Sequence, residues 1–263
     1  MASAAAIASR RVRVRTGARA WDAAFVGLSL AHAALLVTVP SIPVIALGLW
    51  WNANTIAHNF IHRPFFRSRA ANRGYSAWLT LILGVPQAVW RARHLAHHAG
   101  APGRPRFDRD VVVDTVLVVS LWATIVAIAP TWFVTVYLPG WVLGLALCQV
   151  HGHYEHARGT TSHYGRLYNL LFFNDGYHVE HHARPARHWA ELADERRADV
   201  RGSRWPPILR WLEPFSLQSL ERLVLRSPAL QRYVLSTHER ALRRLQPALG
   251  DVRRVLVVGG GLF

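Results

Sequence analysis

The stretch His178-Val-Glu-His181-His182 repeats the spacing of His94-Leu-Ala-His97-His98, and His58-Asn-Phe-Ile-His62 adds a third cluster of histidines. Residues three and four apart share one face of a helix, so each cluster projects its imidazoles from one side of its element. We call these clusters the three histidine boxes. Because convergent imidazoles bind metals, the boxes predict a fold that brings the three segments together around metal.

The donor set limits the choice of metal. Neutral imidazole suits zinc, copper, iron and nickel, and the single Cys148 excludes a thiolate cage. One zinc takes three or four protein ligands, whereas the boxes supply eight histidines. Two metals that share the boxes are therefore the simpler interpretation. Iron is the metal whose open histidine-rich sites carry out O2 chemistry, although the spacing alone leaves dizinc and dicopper open.

Long apolar stretches indicate a membrane protein. A hydrocarbon core of about 30 Å needs about 20 helical residues, and about 17 are tolerated. Tight turns after Val39 and Ile128 pair the stretches as two hairpins. The predicted fold is all-α, an integral membrane protein whose four transmembrane helices support a cytoplasmic histidine-box domain. The four predicted spans are Ala23 to Val39, Ile42 to Ala57, Val111 to Ile128 and Thr131 to Val150.

The basic residues give the orientation. The net charge is +16, all 31 basic residues are arginine, and none falls between Trp21 and Ala57 or between Asp110 and Val150. Positive charge near span ends stays on the cytoplasmic side, so all three boxes are predicted to face the cytoplasm. In a bacterium the protein would lie in the inner membrane. We expect the basic surface to meet the lipid bilayer and not nucleic acid.

Three regions follow from this pattern. Residues 1–20 form a basic cytoplasmic flank, residues 21–190 form the membrane domain that carries the boxes, and residues 191–263 form a cytoplasmic tail of amphipathic helices. The segment from Tyr75 to Trp90 is interrupted by Gly84 and Pro86, which favours a re-entrant or interfacial helix. His32 falls in the middle of a span, and we interpret it as a packing residue.

The boxes and their order along the chain resemble the membrane fatty acid desaturase superfamily, which also includes alkane and carotenoid oxygenases. The resemblance covers roughly Phe25 to Trp189. It implies a non-haem centre of two iron ions, O2 as co-substrate, and hydrogen abstraction from an unactivated C–H bond. The expected activity is desaturation of an acyl lipid. The resemblance assigns catalysis and metal binding to the box residues His58, His62, His94, His97, His98, His178, His181 and His182.

Members of this superfamily usually add one solitary histidine after the last span. Here three histidines crowd together in His151-Gly-His153-Tyr-Glu-His156. The portion Tyr-Glu-His156 is most similar to the motif of the alkane hydroxylase branch, so the resemblance favours His156 as the ninth ligand. His153, one turn earlier on the same helical face, is the alternative.

Three further residues are candidates for the surroundings of the metal. Glu155 and Glu180 lie among ligands, where a carboxylate can accept the outer N–H of a ligating imidazole. For Glu180, exposure to solvent is the competing interpretation. Asn174 lies four residues before His178 and is a candidate either for holding a metal-bound water or for capping a helix.

The box sequences do not identify which reaction the protein catalyses. Hydroxylation and ketolation begin with the same hydrogen abstraction, and the stretch from Tyr177 to Trp189 is also similar to carotenoid ketolases. A membrane metal-binding or transport protein without catalysis is a further alternative, although transport would place ionisable residues inside the spans. A zinc-dependent membrane hydrolase is a third possible class of protein.

The electron source is expected to be another protein. The sequence has no complete flavin or nicotinamide fingerprint and a single cysteine, which is too few for an iron–sulfur cluster. We expect a ferredoxin, or a cytochrome b5-like protein with its reductase, to bind the arginine-rich face.

Overall fold

The computed structural model describes residues 16–101, 108–156 and 159–196, with short segments between 202 and 239. The described chain is mostly helical, as predicted. Its described strands form a parallel pair of two residues each, β1 (Ser162–His163) and β2 (Gly202–Ser203). Residues 1–15 of the predicted flank and most of the predicted tail lie outside the described residues, so the three-region division stays a prediction.

The first hairpin consists of α1 (Thr16–Thr38) and α2 (Ile42–Asn52). Pro43 falls in the first turn of α2, where its missing N–H costs no helical hydrogen bond. The two helices are joined by a buried contact of 3.3 Å between the Asn52 side-chain nitrogen and His32 Nδ1. Gly48 makes room for that ring, since a Cβ there would overlap it. His32 is therefore a packing residue between helices, as the sequence indicates.

The helix does not end at Asn52. It continues through a π-helical segment, Ala53–Ala57, into α3 (His58–His62), which is the first box. A π-helix holds more residues per turn than an α-helix and is frequent at functional sites. The side chains of Asn54 and Thr55 donate to the carbonyls of Trp50 and Trp51, at 2.7 and 2.6 Å. These two carbonyls therefore have hydrogen-bond partners next to the wider turn.

The second hairpin consists of α6 (Arg109–Ile128), α7 (Pro130–Trp132), a π-helical segment (Phe133–Tyr137) and α8 (Leu138–His156). Asp108 caps α6 by accepting a hydrogen bond of 2.9 Å from the Val111 N–H. Helix α8 packs closely on α2 because it presents glycine there. A Cβ at Gly144 would lie 3.0 Å from the Ala46 carbonyl oxygen.

Two helices connect the hairpins, α4 (Arg69–Leu83) and α5 (Gln87–His98). The interruption expected at Gly84 and Pro86 is present: Gly84 ends α4 in the left-handed conformation with φ 62°, which glycine adopts without strain. Its carbonyl accepts a hydrogen bond of 3.1 Å from Trp141 on α8. Helix α5, which carries the second box, therefore begins at a fixed point on the second hairpin.

Among the described residues, three helices are long and apolar enough to cross a membrane: Ala20–Thr38, Arg109–Ile128 and Pro130–His156. The second predicted span, Ile42 to Ala57, is helical but is not among the three. Its residues Ile45, Ala46 and Leu49 are buried. Three of the four predicted spans are therefore supported, and the second stays a prediction.

The largest core cluster lies at the end of the bundle next to the boxes. Phe25 of α1, Ile56 of the first π-helical segment and Leu79 of α4 are fully buried there. Trp189, at the start of a 3-10 helix (Trp189–Glu195), completes the cluster, and its ring centroid lies 5.6 Å from that of Phe25. The core therefore holds the segments that carry the boxes at one end of the helices.

Candidate metal centre

The first two boxes each place two imidazoles one helical turn apart. The ring centroids of His58 and His62 on α3 are 5.2 Å apart, and those of His94 and His98 at the end of α5 are 4.7 Å apart. His97 points to a different side of α5 because one residue turns a helix by about 100°. The second box can therefore serve two groups of ligands.

The third box forms the short helix α10 (His178–Ala183), which follows α9 (Arg166–Leu171) and a tight loop. Contacts with β1 hold it in place. The His163 N–H donates to the Gly176 carbonyl at 2.6 Å, and the Val179 N–H donates to Ser162 Oγ at 3.0 Å. The loop is close-packed at Gly176, where a Cβ would overlap the His163 carbonyl oxygen.

Five imidazoles from all three boxes converge on one point. Their ligand nitrogens all lie within 4.8 Å of one another. The Nε2 atoms form a chain of contacts: His62 to His94 at 2.7 Å, His94 to His98 at 3.1 Å, His98 to His181 at 3.2 Å and His181 to His58 at 3.1 Å. We call this the five-histidine group: His58, His62, His94, His98 and His181.

A second group lies directly beside the first. The ligand nitrogens of His97, His156 and His182 lie within 4.8 Å of one another, and His178 Nε2 is 3.0 Å from His156 Nε2. We call His97, His156, His178 and His182 the four-histidine group. The ring centroids of His98 and His182 are 4.2 Å apart, so the two groups touch.

The structure thus brings together all eight box histidines and, of the three candidates that follow the last span, His156. His153 is exposed on α8 and lies outside both groups. His151 is buried behind the groups, against Trp50. The three residues differ because successive residues of a helix point in different directions. His156 as a ligand remains a proposal, which this placement supports.

Hydrogen bonds alone cannot account for the five-histidine group. A ring nitrogen either carries a hydrogen and donates once, or carries a lone pair and accepts once. Five Nε2 atoms arranged in a chain can therefore satisfy two of the four contacts. In the other two contacts, two lone pairs or two N–H groups face each other. A cation bound between lone pairs would remove this repulsion. The donor set therefore fits a metal that prefers imidazole, iron included.

The four-histidine group fits a metal for a second reason. Within the described part of the chain, His182 Nε2 is buried and has no hydrogen-bond partner. An unpaired buried nitrogen costs about 1–3 kcal/mol, so such atoms in native proteins call for a partner. A cation bound beside His97 and His156 would supply it.

Burial favours the uncharged form of most of the clustered imidazoles. It lowers the pKa of His62 to about 2, that of His98 to about 4 and that of His182 to about 3, and repulsion from neighbouring imidazoles adds to each shift. The pKa values of His178 and His181 are also well below the ordinary value, for the same two reasons. Neutral rings have the lone pair that a metal requires.

Carboxylates face the outer nitrogen of one histidine in each group. Asp175 Oδ1 lies 3.4 Å from His58 Nδ1, and Glu155 Oε1 lies 3.2 Å from His178 Nδ1. Burial alone would raise the pKa of Asp175, but hydrogen bonds from His151 and His58 hold it well below its usual range. A carboxylate in this place fixes the tautomer and orientation of a ligating imidazole. The sequence pattern indicated Glu155 but missed Asp175, whose only signal was an acid three residues before a box.

The other two candidates stabilise the chain near the third box. Glu180 is buried, not solvated, and accepts hydrogen bonds from Ser162 at 2.8 Å and Tyr164 at 2.7 Å. These contacts tie α10 to β1. Asn174 is left-handed, with φ 60°, and its side chain donates to the Trp189 carbonyl at 3.0 Å. A metal-bound water on Asn174 stays a prediction.

Comparison with known proteins supports a family assignment. A family model described as fatty acid desaturase matches residues 33–113 and 100–211, together more than half of the chain. The chain is 31% identical to the sphingolipid delta(4)-desaturase DES1 of Rattus norvegicus over 49% of this chain and 54% of that protein. It is 29% identical to the DES1 protein of Mus musculus over the same shares. The chain therefore spans about half the length of the curated relatives it matches. No solved structure matches it.

Proposed function

Because the chain belongs to the fatty acid desaturase family, we propose that it is an O2-dependent oxidoreductase that introduces a double bond into the hydrocarbon chain of an acyl lipid. Two iron ions would be held by the five-histidine and four-histidine groups. The observation that carries the proposal is the convergence of nine imidazoles, with lone pairs that need a cation, at the end of a bundle of membrane-spanning helices.

The proposed division of labour follows the contacts. When bound, the two irons supply the O2 chemistry that removes hydrogen from an unactivated C–H bond. The imidazoles set the position of both ions, and Asp175 and Glu155 hold His58 and His178 so that their Nε2 lone pairs face inward. Glu155 and His178 are themselves buried, and their low exposure to water strengthens the interaction between them.

The location of the centre supports a lipid substrate. His156 ends α8, and His58 follows the apolar helix that begins at Ile42. A long hydrocarbon chain can therefore approach the centre between the helices while its polar head stays at the interface. The matched relatives are named for action on a sphingolipid, so a saturated sphingolipid is tested beside ordinary acyl lipids.

Orientation and electron supply are also part of the proposal. The distribution of arginine favours a centre that faces the cytoplasm of a multi-pass membrane protein. An acidic carrier, a ferredoxin or a cytochrome b5-like protein with its reductase, would bind the arginine-rich surface, and this association would weaken as salt rises.

The test is expression in a host with a compatible carrier, followed by lipid analysis and metal analysis of the purified protein. We expect new double bonds in the lipid fraction and about two irons per chain. His181→Ala should abolish the double bonds and lower the iron content, and His153→Ala should keep both. An oxygenated alkane or carotenoid in place of an alkene would assign the chain to the hydroxylase or ketolase branch. One zinc per chain would overturn the di-iron proposal.

A further inference from the structure

A buried polar cluster lies behind the two histidine groups. His151 has 1% of its side chain exposed, and it lies between two carboxylates that are nearly as buried. His151 Nε2 is 2.9 Å from Asp175 Oδ2 and 3.4 Å from Glu155 Oε1. From the sequence, His151 was only one of three closely spaced histidines. It is not among the proposed metal ligands.

One imidazole and two carboxylates could themselves bind a cation, but Trp50 argues against that use. An indole N–H can only donate, and Trp50 Nε1 donates to His151 Nδ1 at 3.1 Å. Nδ1 therefore carries the lone pair, and the hydrogen of the neutral ring is on Nε2. A nitrogen that carries a hydrogen cannot bind a metal. His151 Nε2 is a hydrogen-bond donor that points at the two carboxylates.

Each carboxylate in turn reaches a different metal group. Asp175 contacts His58, a member of the five-histidine group, and Glu155 contacts His178, a member of the four-histidine group. Tyr168 adds a hydrogen bond of 3.0 Å to Asp175 Oδ2, on the same side as His151. The connection between the two groups that runs through these carboxylates therefore passes through a single imidazole.

We propose that His151 is a positioning residue shared by both metal groups. By donating from Nε2 to two carboxylates, it holds Asp175 against His58 and Glu155 against His178. It also lies between two negative charges that would otherwise repel each other in a buried site. Removal of this one side chain therefore loosens both metals, although it touches neither. This role rests on the proposed two-metal centre.

The first test compares metal affinity in detergent-purified protein, with Fe²⁺ added anaerobically against a competing chelator. We expect His151→Leu to weaken both metals by about 10 to 100-fold, the usual cost of losing an outer partner of a ligand. In His151→Gln the amide nitrogen takes the place of Nε2 and can donate, so both affinities should recover to within a few-fold. His153→Leu, two residues along the same helix and exposed, is the matched control and should change neither.

The second test examines separately the two carboxylates, Asp175 and Glu155, that His151 contacts. Co²⁺ is the probe, because sites with four and five ligands differ in their absorption spectra. Asp175→Asn should alter the spectrum and affinity of one Co²⁺, and Glu155→Gln those of the other. His151→Leu should alter both. The role is overturned if His151→Leu leaves both affinities intact or weakens only one, or if the two carboxylate variants act on the same ion.

Trp50→Phe covers the case in which His151→Leu is not recovered from the membrane. This variant removes the donor that fixes the hydrogen on Nε2, so both affinities should fall, and unchanged values would overturn the role. Failure of the proposed function is distinguishable, because it would appear in the unmodified protein as fewer than two bound metals. Two metals in the unmodified protein together with unchanged affinities in His151→Leu would overturn only the role of His151.

Discussion

Replacing Gly176 by alanine tests whether the loop before the third box is as close-packed as the structure indicates. A Cβ at this position would overlap the His163 carbonyl oxygen, and it would lie 2.6 Å from Asn169 Oδ1 and 2.9 Å from Tyr168 Cδ1. The first of these neighbours is backbone that takes part in β1, so it cannot swing away as a flexible side chain would. The loop itself must move.

The size of the effect follows from the cost of overpacking, which is about 1–3 kcal/mol. For a chain of this length about 1 kcal/mol lowers the unfolding midpoint by about 2–4 °C, so Gly176→Ala should lower it by about 2–12 °C. The assay is thermal unfolding of the detergent-purified protein, monitored by size-exclusion chromatography at one fixed heating schedule because unfolding of such proteins is often irreversible.

The same variant should also lose metal. Gly176 lies between Asp175 and α10, and α10 contributes histidines to both histidine groups. Metal geometry tolerates displacement of only about 0.5 Å, so a shifted loop should weaken both sites. The matched control is Gly152→Ala in α8, where a Cβ would meet nothing within 4 Å. There the better helix propensity of alanine should keep or raise the midpoint. A Gly176→Ala protein with unchanged midpoint and metal content would refute the packing account.

Three further outcomes are expected. His97→Ala and His181→Ala each remove one ligand from one group, so each should lose activity and bind metal more weakly while the protein stays in the membrane; full activity in both would contradict the ligand assignment. In metal-free protein the His98 pKa of about 4 lies below the ordinary 6.5, so the unfolded chain binds more protons between these values. Stability should therefore be complete above pH 6.5 and fall as the pH drops toward 4, and a flat dependence of the unfolding midpoint on pH would argue against buried neutral rings. In a Cys148→Ser background, a cysteine at Ser41 should react from the side of the membrane opposite to one at Ala70, and labelling of both from the same side would exclude the hairpin topology.

Much of the fold was predictable from the sequence. Helical spacing places the box imidazoles that are four residues apart on one face, and that spacing does not depend on tertiary contacts. Runs of apolar residues without arginine mark the hairpins for a similar reason, since a charge inside the hydrocarbon core is costly wherever the helix packs. The interruption at Gly84 and Pro86 was also predictable, because glycine and proline change the conformation and hydrogen bonding of the backbone at their own positions.

The second predicted span is the one that composition decides least. Ile42 to Ala57 is helical, with Ile45 and Leu49 buried against protein and Leu47 51% exposed. Its π-helical segment left no recognised signal in the sequence. An apolar helix can face lipid or other helices equally well, so its position in the bundle depends on residues elsewhere, such as Gly140 and Gly144 on α8.

The sequence by itself determined the kind of protein: a helical membrane protein with a histidine-rich centre, built from boxes in a fixed order. Only the tertiary structure decided the grouping of the nitrogens into five and four, and that His156 lies among them while His153 does not. It also decided which carboxylates lie behind the rings, Asp175 included. The physical reason is that a spacing fixes which residues share a face, whereas the rotation of each helix about its axis, set by packing against α2 and β1, fixes what that face meets.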